Sequence, residues 1–227
     1  MLHNVLHHEP FSLASVLSAQ SLFDLRLIII PIAYFIGCFN AGYYITKFKN
    51  HSDIRKHATH STGARNVKRL LGTKAAILTF LLDFAKGALV VIIAEILNLN
   101  PTATLLAVIA VIAGHIWPAQ LQFKGGKGIA VTLGSIILYD YRIAAIALIA
   151  FAIAYLIVRK YAISAFTAII VLPIAAALAT KKPQQIPLFI LILIIILAAH
   201  RNNLTELIKD FTSHHRNTQY NNKEPQI

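Results

Sequence analysis

Apolar residues run through this chain in seven blocks, at about 27–46, 73–97, 102–117, 128–139, 143–158, 162–179 and 185–199, separated by short polar stretches. A bilayer core of ~30 Å needs about 20 helical residues, with about 17 the usual minimum, so most of these blocks suit a spanning helix. The block at 128–139 is short. It predicts a half-helix or a tilted one, tolerable where its end lines a cavity and not lipid. The pattern as a whole predicts an all-α, polytopic membrane protein of about seven transmembrane helices. Its membrane domain covers 26–208, after an N-terminal extension at 1–25 and before a polar tail at 209–227 whose composition predicts disorder.

Composition agrees with the pattern. The 227 residues are 57% hydrophobic and 13% charged, against roughly 25% charged in soluble domains. The net charge of +12 would suit nucleic acid if it were clustered, but the basic residues sit in loops between apolar blocks. Sixteen of the 21 Lys and Arg fall on one set of alternate loops and the tail, four on the other set, and Lys86 lies inside a block. By the positive-inside rule this puts the N-terminus outside and the C-terminus in the cytoplasm. The loops at 50–73 and 118–128 and the start of the tail at 200–203 then share the cytoplasmic face. The N-terminal extension has no Lys or Arg before Arg26, so it lacks the basic end of a signal peptide; Phe11 to Phe23 could form an interfacial helix. A single cysteine, Cys38, excludes intrachain disulfides and zinc-type spacing.

Three polar constellations carry the candidate chemistry. Gly114-His115-Ile116-Trp117-Pro118 leads into Lys124-Gly125-Gly126-Lys127-Gly128, a loop whose glycines let backbone N–H groups approach an anion just before a helix begins. It is not a nucleotide P-loop, because no Ser or Thr follows Lys127 and Leu121 stands where the first glycine belongs. In the loop at 50–73, Ser61 or Thr62 can cap a short helix that Gly72 ends, with Arg65, Arg69 and Asn66 forming an anion clamp. His200 and Asn203, three apart at the end of the last block, can point the same way. Asp83 and Lys86 lie one turn apart inside the second block, where each charge costs about 2.5–3.5 kcal/mol; a mutual ion pair facing the polar loops is expected. No His-x-x-x-x-Asp spacing occurs, and His115 has no carboxylate three to five residues away.

These segments, in this order, resemble the bacterial PlsY family of integral-membrane acyl-phosphate:glycerol-3-phosphate acyltransferases. The resemblance runs from about Ile30 to Ile208. It rests on Gly114-His115-x-x-Pro118 with Phe123-Lys124-Gly125-Gly126-Lys127-Gly128, on Asp83-x-x-Lys86-Gly87 and on His200-Arg201-x-Asn203. The first motif departs from the family: Thr59, Asn66 and Arg69 fit, whereas His60, Ser61 and Arg65 replace Gly, Asn and Thr. The serine-rich third motif is reduced to Ser164.

The resemblance implies seven helices around a cytoplasm-facing active site in the bacterial inner membrane. The implied reaction moves an acyl group from acyl phosphate to the 1-hydroxyl of sn-glycerol-3-phosphate in phospholipid synthesis, giving 1-acyl-glycerol-3-phosphate and phosphate without cofactor or metal. By resemblance the acceptor pocket falls to Thr59, Arg69, Lys124, His200 and Asn203, with Lys124 and His200 catalytic. The donor side falls to Ser61, Asn66, Gly125, Gly126, Lys127 and Ser164. Arg65, outside the family pattern and one turn from Arg69, offers a second cation for the acceptor's phosphate. Membrane lipid and the enzyme that supplies acyl phosphate are the implied partners. Two other classes stay open at this point: an inactive relative binding anionic lipid or an enzyme partner, and a small anion transporter.

Overall fold

A computed structural model describes residues 28–180 and 182–201. The N-terminal extension, the polar tail, Lys181 and Asn203 lie outside the described residues. The described chain is helical without strands: α1 (Ile29–Cys38), α2 (Ala41–Asn50), α3 (Ala64–Ile96), α4 (Pro101–Ile116), α5 (Ile129–Tyr139), α6 (Tyr141–Val158), α7 (Tyr161–Thr180) and α8 (Ile186–Ala199). Five stretches are long and apolar enough to cross a membrane, α1 with α2 counting as one, and Ile129–Tyr139 and Pro183–Ala199 are shorter apolar helices. The seven segments coincide with the apolar blocks, and the short block is the short helix. Phe35, Ile77, Leu81, Ile153, Leu156, Ile157, Leu178 and Ile194 face outward, a belt of apolar surface that water would not sustain but lipid does.

Helix ends follow local chemistry. Asn100 caps α4 by accepting the Ala103 N–H at 2.9 Å, with Pro101 in the first turn where its missing N–H costs nothing. The expected Ser61 or Thr62 cap on α3 is not formed; Gly63 is the N-cap and no side chain bonds the helix end. Gly72 does end the short arginine-bearing segment, as expected. At φ 81° and ψ −176° it takes a conformation that is essentially glycine's alone, and α3 resumes beyond it. A kink there separates the short arginine-bearing segment from a 73–96 run that can span, since all 33 residues in line would measure roughly 50 Å at 1.5 Å per residue.

The helices associate mainly as α1 with α4, α3 with α5, and α6 with α7. Glycines bring two of these pairs close. A Cβ at Gly37 would overlap the Val111 carbonyl and one at Gly114 the Tyr34 carbonyl, while Gly87 and Gly134 stand likewise against Val131 and Phe84. Small residues at helix contacts are how membrane bundles gain packing, since lipid offers no hydrophobic drive between helices. The core they enclose includes Val108, Val111, Ile112, Ile136, Ile143, Phe189 and Ile192.

The first span breaks at Phe39-Asn40, and its backbone groups find partners in other segments. Lys86 Nζ donates to the carbonyls of Gly37 at 3.0 Å and Phe39 at 2.6 Å. The Cys38 carbonyl between them accepts from Asn40 Nδ2 at 3.1 Å and Gln120 Nε2 at 2.5 Å. Non-helical backbone at membrane depth is tolerated only when satisfied in this way. The Asp83–Lys86 pair, 3.1 Å between Oδ1 and Nζ, thus holds a helix break as well as each other.

Candidate active site

The loop after α2, the loop between α4 and α5, the start of α7 and the end of α8 meet at one end of the bundle. Two hydrogen bonds tie the first two loops: Thr62 N–H to the Gly125 carbonyl at 3.2 Å and Arg55 Nη1 to the Leu121 carbonyl at 2.6 Å. Arg55 is itself clamped by Asp53, Nη2 to Oδ2 at 2.7 Å. Hydrogen bonds from the Arg55 side chain hold the Asp53 carboxyl below its ordinary pKa, and the same bonds raise that of Arg55.

Between these loops lies a cavity of about 130 Å³, lined among others by Thr59, Ser61, Arg65, Asp83, His115, Lys127 and His200. It shares Phe80, Ile129, Tyr161 and Ala165 with a groove of about 250 Å³ whose walls are almost wholly apolar, including Leu133, Ile136, Ala147, Phe151 and Leu172. A chamber that carries Arg65 and Lys127 among apolar side chains therefore opens onto an oily channel between α3, α5, α6 and α7.

The remaining candidate residues are arranged around this chamber in different ways. Asn66 is fully buried. Its amide nitrogen donates to the Ile54, His57 and Ser61 carbonyls at 2.8–3.1 Å and its oxygen accepts the Thr59 N–H at 3.2 Å, so it shapes the loop carrying Thr59 and Ser61. Ser164 is buried, its hydroxyl donating to the Lys160 carbonyl at 3.1 Å. Lys124 and Arg69 are exposed beside the chamber and do not line it.

The glycine loop differs from the cradle expected of it. The N–H groups of Gly125 and Gly126 donate to the Ile116 and His115 carbonyls at 3.0 and 2.9 Å, closing the end of α4 rather than converging on an anion. Positive φ falls at Gly128, 84°, and not at Gly125 or Gly126. Gly126 is required for another reason: a Cβ there would overlap Nε2 of the His115 ring. The start of α5 after Gly128 still offers a helix N-terminus to the chamber, through Gly128, Ile129 and Ala130.

The histidines are set by their neighbours. His200 Nδ1 is 2.8 Å from the Ile196 carbonyl, which can only accept, so Nδ1 carries the proton and Nε2 of the neutral ring is an acceptor. The His200 ring meets Phe166 edge-on at 5.1 Å between centroids. His115 Nδ1 lies 2.8 Å from Lys86 Nζ and 3.6 Å from Asp83 Oδ1. Local spacing carries no trace of this pairing, since the carboxylate comes from another helix, 32 residues earlier in the chain; the intramembrane charges Asp83 and Lys86 are the signal the sequence does hold.

Fold and chamber together define a multi-helix membrane protein with a cation-bearing chamber beside an apolar groove. The chain matches the family described as glycerol-3-phosphate acyltransferase over residues 27–210. It is 36% identical over 184 residues to glycerol-3-phosphate acyltransferase 1 of Desulfitobacterium hafniense, covering 81% of this chain and 91% of that one. Over 150 residues it is 44% identical to the glycerol-3-phosphate acyltransferase of Alkaliphilus metalliredigens, covering 66% and 76%. Among solved structures it resembles PlsY (YgiH), an integral membrane glycerol 3-phosphate acyltransferase, in its glycerol 3-phosphate form, with TM-score 0.76, 29% identity, and 82% of this chain and 92% of that one covered. The lysophosphatidic acid form of the same enzyme aligns with TM-score 0.73. This chain belongs to the glycerol-3-phosphate acyltransferase family of the PlsY type. It is an acyltransferase enzyme of phospholipid synthesis and a multi-pass membrane protein.

Proposed function

We propose that the enzyme takes its acyl group from acyl phosphate and transfers it to the 1-hydroxyl of sn-glycerol-3-phosphate, releasing 1-acyl-glycerol-3-phosphate and inorganic phosphate on the cytoplasmic side. The observation that carries this is the junction of the cationic chamber with the apolar groove at Phe80, Ile129, Tyr161 and Ala165. A donor with a phosphate head and a hydrocarbon tail fits across that junction. The lysophosphatidic acid form of the related PlsY supports the product, and the charge asymmetry of the loops supports the orientation.

Arg65 and Lys127 supply charge for the two phosphates, the guanidinium through its planar fork. Thr59 and Ser61, with hydroxyls 3.3 Å apart, add hydrogen bonds on the same wall. His200 accepts through Nε2 and so can orient the attacking hydroxyl, whose proton passes to a phosphate oxygen as the acyl–phosphate bond breaks. Lys124, exposed on the glycine loop, raises the local concentration of anionic substrate. Holding both reactants in line supplies much of the remaining acceleration.

The test is purified enzyme with matched acyl phosphate and acyl-CoA, each against a panel of glycerol phosphates. Acyl phosphate with sn-glycerol-3-phosphate should give the highest kcat/KM. Equal rates from acyl-CoA would remove the donor assignment while leaving the family activity intact.

A further inference from the structure

We infer that His115 is a neutral hydrogen-bond donor to the reacting acyl carbonyl, with its proton fixed on Nε2 by Lys86. This rests on the acyl-transfer reading above, and it assigns a residue that the motif comparison left without a role.

The argument begins at Lys86. Two of its ammonium hydrogens go to the Gly37 and Phe39 carbonyls, at 3.0 and 2.6 Å, because a carbonyl can only accept. The third direction holds His115 Nδ1 at 2.8 Å and Asp83 Oδ1 at 3.1 Å. An ammonium has no lone pair, so Nδ1 must be the acceptor, and the neutral imidazole carries its one proton on Nε2. Asp83 beside the ammonium compensates its charge at a depth where a lone cation would be costly.

The Nε2 edge of the ring is turned toward Gly126, the residue at which any Cβ would cover it. His115 itself lines the chamber. A donor whose tail lies in the groove past Phe80 and Ile129, and whose phosphate meets Arg65 and Lys127, has its carbonyl in this same small volume. His115 and His200 are therefore complementary: one presents an N–H and the other a lone pair.

In the step this implies, the glycerol oxygen bonds to the carbonyl carbon and the carbonyl π pair moves onto its oxygen, where Nε2–H donates. The pair returns as the carbon–oxygen bond to phosphate breaks. Phosphate departs with that bond's electrons and takes up the hydroxyl proton, and His115 keeps its own proton throughout. A preorganised donor at a developing oxyanion contributes because it needs no reorientation during the reaction.

Two measurements test this. The first is the ¹⁵N spectrum of histidine-labelled enzyme in nanodiscs, with His115 assigned through its substitution. Nε2 should be the protonated nitrogen and Nδ1 the bare one, and an unreactive acyl phosphonate should shift the Nε2 signal. An Nδ1–H tautomer, or no response to the phosphonate, overturns the proposal. The second compares H115N, whose oxygen can still accept from Lys86 but which lacks a donor near Nε2, with H115Q, whose amide reaches that position. H115N should lose about 10²–10³-fold in kcat with little change in KM for glycerol-3-phosphate, and H115Q should recover part of it. Wild-type kcat in H115N, or a loss confined to KM, overturns the proposal. If H115N fails to fold, the spectrum of the wild-type enzyme decides. If the wild type transfers nothing from acyl phosphate, the donor assignment of the preceding section fails separately, and the tautomer result still stands for or against His115.

Discussion

Lys86→Met is the most revealing single change, because one ammonium serves four groups in three segments. Methionine keeps the unbranched stem and removes only the charged head, so the loss is electrostatic and not a cavity. The Gly37 and Phe39 carbonyls lose their donor, and an unsatisfied buried polar group costs about 1–3 kcal/mol. Asp83, 3.1 Å away and 2% exposed, is left without its cation, and breaking a buried pair from one side costs about 3–5 kcal/mol. These terms overlap, because relaxation around Asp83 also moves the break, so the net loss is about 3–5 kcal/mol. For a domain of 150–250 residues, each kcal/mol lowers Tm by about 2–4 °C, giving a fall of roughly 6–20 °C. The assay is thermal unfolding of the purified enzyme in detergent. Asp83→Asn combined with Lys86→Met should be more stable than Lys86→Met alone, since the stranded charge is gone. A Tm for Lys86→Met within about 2 °C of wild type would refute the hub described for this residue.

Three further outcomes are expected. Gly126→Ala should lower turnover and Tm together, because its Cβ meets the His115 ring and pushes on Lys86 behind it; a variant with wild-type kcat and Tm would contradict that packing. Arg65→Thr should raise KM for glycerol-3-phosphate with little change in kcat, by about 10-fold or more for a lost charge-assisted bond to phosphate; a fall in kcat alone would mean that Arg65 acts in the transition state instead. Asp53 has its pKa lowered by Arg55, so the clamp stabilises the loop above about pH 4, the unfolded value, and fades as pH falls through the lowered folded value. The Tm difference between wild type and Asp53→Asn should therefore be present at neutral pH and shrink in acid, and a pH-independent difference would count against the clamp.

The spans were legible because apolar block length is a strong, one-dimensional signal, and the chamber's loops were legible because charge asymmetry sorted them to one end. What could not be read was the break at Phe39-Asn40. It lies within one apolar block, and the groups that permit it, Lys86, Asp83 and Gln120, belong to other segments. Gly72 interrupts the helix as its residue type predicts, whereas the resumption of helix directly after it depends on what the chain packs against. The glycine loop shows the opposite failure. Its composition suits an anion cradle, yet the Gly125 and Gly126 N–H groups complete the end of α4, and an imidazole fills the side of Gly126 where a Cβ would stand. For His115 the relevant carboxylate, Asp83, lies across a helix pair, where spacing along the chain carries no signal.

The opening of the chamber into the groove sets the units in which this enzyme experiences its substrates. The acceptor arrives by three-dimensional diffusion and is governed by its molarity. On the reaction proposed above, the donor and the acylated product each carry a hydrocarbon tail and belong to the lipid plane, so what counts for them is surface density. Diluting the membrane with inert lipid at fixed bulk concentration should then slow the reaction as surely as lowering the amount of donor. Saturation by the donor belongs to the leaflet and not to the beaker.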